Sequence, residues 1–404
     1  MTDTKKENKI IFICWLAYMV AYIGRLNFSA SIVAIISDTG LTKAAVGIVT
    51  TFFFFAYGIG QLVNGILSKH YNGRIMVFIS LTISSLLNLA IPLCGNNVSV
   101  MKYIWLLNGA VQSILWCTLI KTISEFVSDK GMPRAIFVMS TTNTVGTFAV
   151  YGMSALFVKI ATWRITFFVA SALLIITAFV WYISYGNEKP PVVLKKEQDE
   201  KSSVRHSGVM IACIATICLA GIANGFIKDG VNTWVPSVLN EEFGVTESLS
   251  ILLTFLLPLM STLSAGLIKK IHEKIKSHSL MNTILYGVTA LLCGGIIFFF
   301  GRGNIVFIMI CFIMTSAVMA MVNNVITSMF PLDRRKLMGS GFAAGLLNTF
   351  CYVGSTITSY TLGAVADKRG WNTVFVIMLC VSMAAFAVSA VGSVFDKKVN
   401  RITE

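Results

Sequence analysis

The stretch A-Y-I-G-R-L-N-F-S-A, residues 21–30, decides how the rest of the chain is read. It sets an arginine in the middle of an apolar run from Ile10 to about Ile36, long enough to cross a bilayer. A guanidinium stays protonated, and on insertion scales a cation at the bilayer centre costs about 2.5 to 3.5 kcal/mol. Arg25 must therefore face protein, water or an anion rather than lipid. Tyr18, Tyr22, Arg25 and Ser29 follow spacings of four, three and four, which puts hydroxyls and the cation on one helix face. That face reads as the polar lining of a cavity in which Arg25 receives a negatively charged ligand. The alternative is a buried structural ion pair.

Working outward, the whole chain has the same character. Of 404 residues, 56% are hydrophobic and 12% charged, with a mean hydropathy of +0.78, which describes a polytopic membrane protein rather than a soluble one. Twelve helical spans are expected, at 10–36, 44–69, 74–94, 102–126, 133–158, 163–186, 207–240, 247–271, 279–300, 304–329, 335–362 and 371–395. The N-terminal run M-T-D-T-K-K-E-N-K enters span 1 with no cleavage-site pattern, so no removable signal peptide is expected. The nine cysteines lie in or beside apolar segments without a C-x-x-C pair, so neither a disulfide framework nor a metal site is expected. All four histidines, His70, His206, His272 and His278, fall in short polar loops.

The formal charge of +14 could point to nucleic acid, but its distribution does not. With both termini placed in the cytoplasm, 22 of the 32 Lys and Arg residues fall on the inner side and 7 on the outer. That bias is the positive-inside rule, so the charge is topological and no nucleic-acid partner is implied. Only Arg25, Lys121 and Lys228 remain within spans. The one long polar break, residues 187–206, is rich in proline and mixed charge and reads as a cytoplasmic linker between residues 1–186 and 207–404.

The two halves repeat each other. Arg25 is followed by G-L-T at 40–42, and Lys228 by G-V-T at 244–246. V-G-T at 145–147 precedes W-R-I-T-F at 163–167, as V-G-S at 353–355 precedes W-N-T-V-F at 371–375. Such shared spacing predicts an all-α protein of two pseudo-symmetric six-helix bundles. The symmetry sets Lys228 opposite Arg25, and two converging cations suit a phosphate. Gly221, Asn224, Lys228 and Val231 share a face of span 7. Of 18 acidic residues only Asp229 lies well inside a span, and neighbours one apart on a helix point about 100° away from each other, so it need not neutralise Lys228. Asp229 is a candidate structural partner or a protonatable coupling group.

Span 2 offers Tyr57, Gln61 and Asn64 on one face, and span 5 offers Asn143 among threonines; each could donate to a ligand or join helices. Lys121 sits near the end of span 4 with Glu125 one turn on, a pattern of local stabilisation. G-S-G-F-A-A-G at 339–345 reads as close helix packing. H-E-K-I-K-S-H at 272–278 has the wrong spacing for a zinc protease. No nucleophile and base constellation appears, so neither an enzyme nor a cofactor is expected.

These residues also resemble a known family. The segments Y-I-G-R-L-N-F-S at 22–29, A-Y-G-I-G-Q-L-V-N-G-I-L-S-K at 56–69, W-C-T-L-I-K at 116–121, T-W-R-I-T-F at 162–167 and F-I-K-D-G-V-N-T-W-V-P at 226–236 resemble the major facilitator superfamily, and within it the organophosphate:phosphate antiporters. The resemblance implies that Arg25 and Lys228 match the basic residues that bind substrate phosphate, with Tyr18 and Tyr22 beside them. It implies a monomeric carrier in a bacterial inner membrane that exchanges a phosphorylated organic anion for inorganic phosphate. Gln61 stands where several members carry lysine, Asn143 where some carry histidine, and the loop motif G-x-x-x-D-R is reduced to G-I-L-S-K-H at 65–70. A sugar-acid type carboxylate symporter and a transporter-like sensor of sugar phosphates are the alternatives.

Overall fold

The computed structural model describes residues 3–67, 71–128, 130–186, 208–275, 277–334 and 340–403; the expected linker at 187–206 and the motif residues 68–70 lie outside these. The described chain is helical throughout. Ten stretches are long and apolar enough to cross a membrane, one of which, Gly345–Lys398, holds spans 11 and 12 together. Large apolar side chains such as Leu93, Ile183 and Leu291 point outward, as a lipid-facing belt requires.

Several spans are broken where single helices were expected. Span 1 consists of α1 (Asp3–Ala30) and α2 (Ile32–Thr39), divided at Ser31. Spans 2 to 4 are α3 (Lys43–Leu67), α4 (Gly73–Ala90) and α5 (Val98–Phe126). Span 5 is α6 (Met132–Ser140) with α7 (Thr142–Ile160), span 6 is α8 (Trp163–Tyr185), and span 7 is α9 (Gly208–Phe243). Span 8 divides into α10 (Glu247–Thr254) and α11 (Leu256–Lys274) because Pro258 has no N–H to offer the Thr254 carbonyl one turn back. Spans 9 and 10 are α12 (His278–Phe300) and α13 (Ile305–Asn324), the latter running through a π-turn at Val325–Met329 into α14 (Phe330–Asp333). Spans 11 and 12 form α15 (Ser340–Thr403), divided at Gly370, whose φ of 74° is not helical.

Packing follows the repeat. Span 1 lies on span 5 as span 7 lies on span 11, span 2 on span 4 as span 8 on span 10, and span 3 on span 6 as span 9 on span 12. Gly146 lets span 5 close on span 1, since a Cβ there would stand 2.6 Å from Tyr22 Cβ and 2.7 Å from the Met19 carbonyl oxygen. Gly354 does the same in the second half, where a Cβ would collide with the Ile222 carbonyl and approach the Phe226 amide. Met19 and Ile222 each precede their span's cation by six residues. At the far end of the bundles, Trp163 donates its indole N–H to Asp38 at 3.0 Å, and Trp371 donates to Glu241 at 2.9 Å. Each acid lies thirteen residues beyond the cation of its helix. Hydrogen bonds from Trp163 and Arg164 hold the Asp38 carboxyl below its ordinary range.

Two seams join the halves, span 2 against span 11 and span 5 against span 8. The first is pinned by charge at the end opposite the chain termini. There Lys43 Nζ pairs with Glu241 at 3.0 Å and Asp367 at 3.3 Å, while the Lys43 and Ala44 amides also donate to Asp367. Pro236 inside α9 leaves the Asn232 carbonyl without its helical donor, and the Tyr151 hydroxyl of the other half supplies one at 3.1 Å.

Candidate functional site

Arg25 is 6% exposed and lies among three tyrosines: its Cζ is 4.3 Å from the Tyr57 ring centre, 4.6 Å from Tyr22 and 5.7 Å from Tyr18. Ring faces attract a desolvated guanidinium by about 2 kcal/mol each at best, and they carry no formal charge. Arg25 Nε donates to Gln112 Oε1 at 3.1 Å, whereas Nη2 is buried without a hydrogen-bond partner. Among the described residues no carboxylate lies within ion-pair distance of Arg25, so the structural ion pair left open by the sequence is not what holds it.

Behind Arg25 stands a neutral network. Gln112 Nε2 donates to Ser84 Oγ at 2.9 Å, Ser84 donates to Asn108, and Asn108 and Asn88 both donate to the Gly24 carbonyl at 3.1 Å. All four side chains are buried, and amides and hydroxyls fix the arginine without neutralising it. Gln112 and Asn108 were visible in the sequence as an i, i+4 polar pair on span 4, a spacing that puts both on one face.

Tyr352 of span 11 brings the second half to the same place. Its ring meets Tyr57 edge-on at 4.9 Å and Phe54 at 6.2 Å. It sits in electrostatic range of both Arg25 and Asp229, and Tyr22 in range of both Arg25 and Lys228. Nothing in the spacing around Tyr352 distinguishes it from the other aromatics of an apolar span.

Lys228 departs from expectation. Its Nζ lies 3.6 Å from Asp229 Oδ1, so the adjacent acid does pair with it; a helix turns the two Cβ bonds about 100° apart, but a four-carbon stem is long enough to fold back. Asp229 Oδ2 accepts a short hydrogen bond from the Ser355 hydroxyl of span 11. The Lys228 side chain keeps 29% of its surface accessible.

The remaining candidates separate into two groups. Tyr18, Tyr22 and Tyr57 gather on Arg25, and Ser29 is buried one turn further along the same helix. Gln61 does not turn to Arg25: its amide donates to the Ser113 carbonyl of span 4 at 3.3 Å, a helical oxygen whose second lone pair can accept it. Asn64 donates to the Ser113 hydroxyl at 2.8 Å. Asn224 donates to the Met319 carbonyl of span 10 at 2.7 Å and joins helices rather than lining the Arg25 pocket. Asn143 is exposed and accepts from Thr147. Lys121 pairs with Glu125 at 3.7 Å and donates to the Tyr71 carbonyl at 2.9 Å, a local arrangement at the end of span 4. A crevice of about 800 Å³ elsewhere between the halves, lined by Lys159, Asn240 and Glu247, contains none of the Arg25 group.

Two helical bundles meeting over an unneutralised buried cation have the architecture of a membrane carrier. The chain belongs to the Major Facilitator Superfamily, whose family model matches residues 14–340. It is a multi-pass membrane transport protein and not an enzyme. A probable hexose phosphate transport protein of Chlamydia muridarum is 22% identical over 93% of this chain and 89% of that protein. The glycerol-3-phosphate transporter of Bacillus subtilis is 23% identical over the same shares. Among solved structures, a bacterial homologue of the human lysosomal transporter Spinster superposes with a TM-score of 0.78 at 13% identity, over 97% of this chain and 98% of that one. The fold expected from the repeat is the fold found, and the hexose phosphate and glycerol-3-phosphate transporters are relatives of the kind named by the narrower resemblance.

Proposed function

We propose that the protein carries a phosphorylated organic anion, of the sugar phosphate or glycerol phosphate class, and exchanges it for inorganic phosphate by alternating access. The observation that carries this reading is Arg25, buried, unpaired by any described carboxylate and with Nη2 free. The named relatives support the phosphate ester as its partner. A phosphate takes two parallel N–H donors of the guanidinium, and the three tyrosines gathered on Arg25 each bring a hydroxyl that can donate. Lys228 is the second cation: bound phosphate competes with Asp229 for it, and the Ser355 hydroxyl remains to hold the released carboxylate. The empty carrier thus keeps Lys228 on Asp229, and the loaded carrier draws Lys228 toward Arg25 across the seam between bundles 1–186 and 207–404. We place the termini and the 187–206 linker in the cytoplasm of a bacterial cell, which puts the Lys43 ion pairs at the outer mouth of the carrier.

Proteoliposomes loaded with inorganic phosphate test this. Uptake of hexose or glycerol phosphate is expected to require internal phosphate and to fall about a hundredfold or more in Arg25→Ala, as for a charged hydrogen-bonding group removed from a buried site. Lys228→Ala should lose exchange as well. Unchanged phosphate-driven uptake in both variants overturns the reading.

A further inference from the structure

The histidines at the two ends of H-E-K-I-K-S-H do not stay apart. His272 ends α11, His278 opens α12 and Asp333 closes α14, on the side of the molecule that carries the chain termini. His278 Nε2 lies 3.0 Å from Asp333 Oδ2 and His272 Nε2 lies 3.6 Å from the same oxygen. One ligand atom from each of the three residues falls within 4.8 Å of the others. A tetrahedral ion with bonds of about 2.0 to 2.2 Å holds its ligand atoms roughly 3.4 Å apart, so two of the separations already match.

The hydrogen bonding also leaves these rings open. The His278 side chain is 3% exposed, yet neither of its ring nitrogens makes a hydrogen bond, although Asp333 Oδ2 stands beside Nε2. His272 Nδ1 is buried and without a partner too. A buried imidazole normally finds a donor or acceptor, and here the one polar group beside it is a carboxylate placed as a fellow ligand. The nearby cation Arg334 is engaged by Asp396 at 2.8 Å, and Ser277 donates to the same carboxylate at 2.7 Å.

We propose that His272, His278 and Asp333 bind a divalent transition-metal ion of the zinc class. Two imidazoles and one carboxylate suit Zn²⁺, Co²⁺ or Ni²⁺ and not the hard, all-oxygen coordination of Ca²⁺ or Mg²⁺. Three protein ligands leave a coordination position for water. The ion ties the ends of spans 8, 9 and 10 to one another and so stiffens one end of the second bundle. It has no part in holding the transported anion.

The test uses the full-length protein, purified through a histidine-free tag and stripped with chelator. Zn²⁺ added alone is expected to bind one to one and to raise the thermal unfolding midpoint, while Mg²⁺ and Ca²⁺ do neither; Co²⁺ is expected to give visible absorption bands of tetrahedral coordination. His272→Gln and Asp333→Asn, both at partly exposed positions, should melt like the parent without metal and bind Zn²⁺ about tenfold or more weakly. His70→Gln and His206→Gln should leave binding intact. Absence of saturable one-to-one binding, survival of full affinity in either ligand variant, loss of binding in His70→Gln or His206→Gln, or an equal response to Mg²⁺ overturns the proposal.

Discussion

Arg25 is held by groups that fix its position and leave its charge alone. Gln112 does most of this, and it gives the sharpest test of whether the open charge matters. Gln112→Glu puts a carboxylate on Arg25 Nε and supplies the missing counter-ion from within. Uptake of phosphate esters is expected to drop about a hundredfold, with the protein no less stable to heat. Gln112→Leu keeps the charge open but lets the guanidinium wander, for a loss of about tenfold carried mostly by the apparent affinity. Full uptake by Gln112→Glu would mean that anion binding does not depend on Arg25 being unpaired. Much of this was readable in the sequence: one arginine in an apolar span, with tyrosines at helical spacing, admits few explanations. The roles of Gln112 and Tyr352 were not, because which buried amide reaches which guanidinium depends on how three helices cross. Gln61 illustrates the same limit. Its spacing from Tyr57 put both on one face, and the crossing of spans 2 and 4 then turned the amide toward the Ser113 carbonyl.

At the scale of elements, the repeat rests on contacts of backbone with backbone. Gly354 lies against the Ile222 carbonyl and Gly146 against Met19 and Tyr22, so a methyl group at either position forces two spans apart. Gly354→Ala is expected to cost about 1 to 3 kcal/mol of stability, as overpacking in a dense interior does, and Gly146→Ala somewhat less because part of its contact is a side chain. Gly152, with no atom within 4 Å of a would-be Cβ, is the control: Gly152→Ala in the same helix should be neutral or stabilise by about 0.5 to 1 kcal/mol. Thermal melts in one detergent compare the three, and equal effects at all of them would rule out the close-approach account. The sequence revealed this repeat through the seventeen-residue step from glycine to tryptophan in each half. It concealed the breaks at Ser31 and Thr141, the first in a strongly apolar run and the second among hydroxyl residues that a helix accommodates, where hydropathy cannot tell a continuous helix from two stacked ones.

For the molecule as a whole, the seam at Lys43 biases the equilibrium between the two directions of opening. Lys43 belongs to the first half, and its partners Glu241 and Asp367 to the second, with residue 367 lying 324 positions away in sequence. No pattern in the chain could foretell that meeting, since it depends on how two bundles dock. Partly exposed pairs contribute about 0.5 to 1 kcal/mol each, so Lys43→Met should lower the population closed at that end by about fivefold or more. Spin labels across the mouth should report a larger fraction of long distances in the variant, and an unchanged distribution would show that apolar contacts alone close the seam. The lack of a counter-ion at Arg25 has an electrical side too. Lys228 is balanced by Asp229, so the unloaded core has a net charge of one, all of it in the first half. Opening one mouth and closing the other moves the voltage drop from one side of Arg25 to the other. A full unit charge crossing the field changes energy by about 2.3 kcal/mol per 100 mV; in the exchange cycle proposed above, membrane potential would weigh on the return of the empty carrier, and a bound phosphate monoanion would cancel that charge and free the loaded carrier from it.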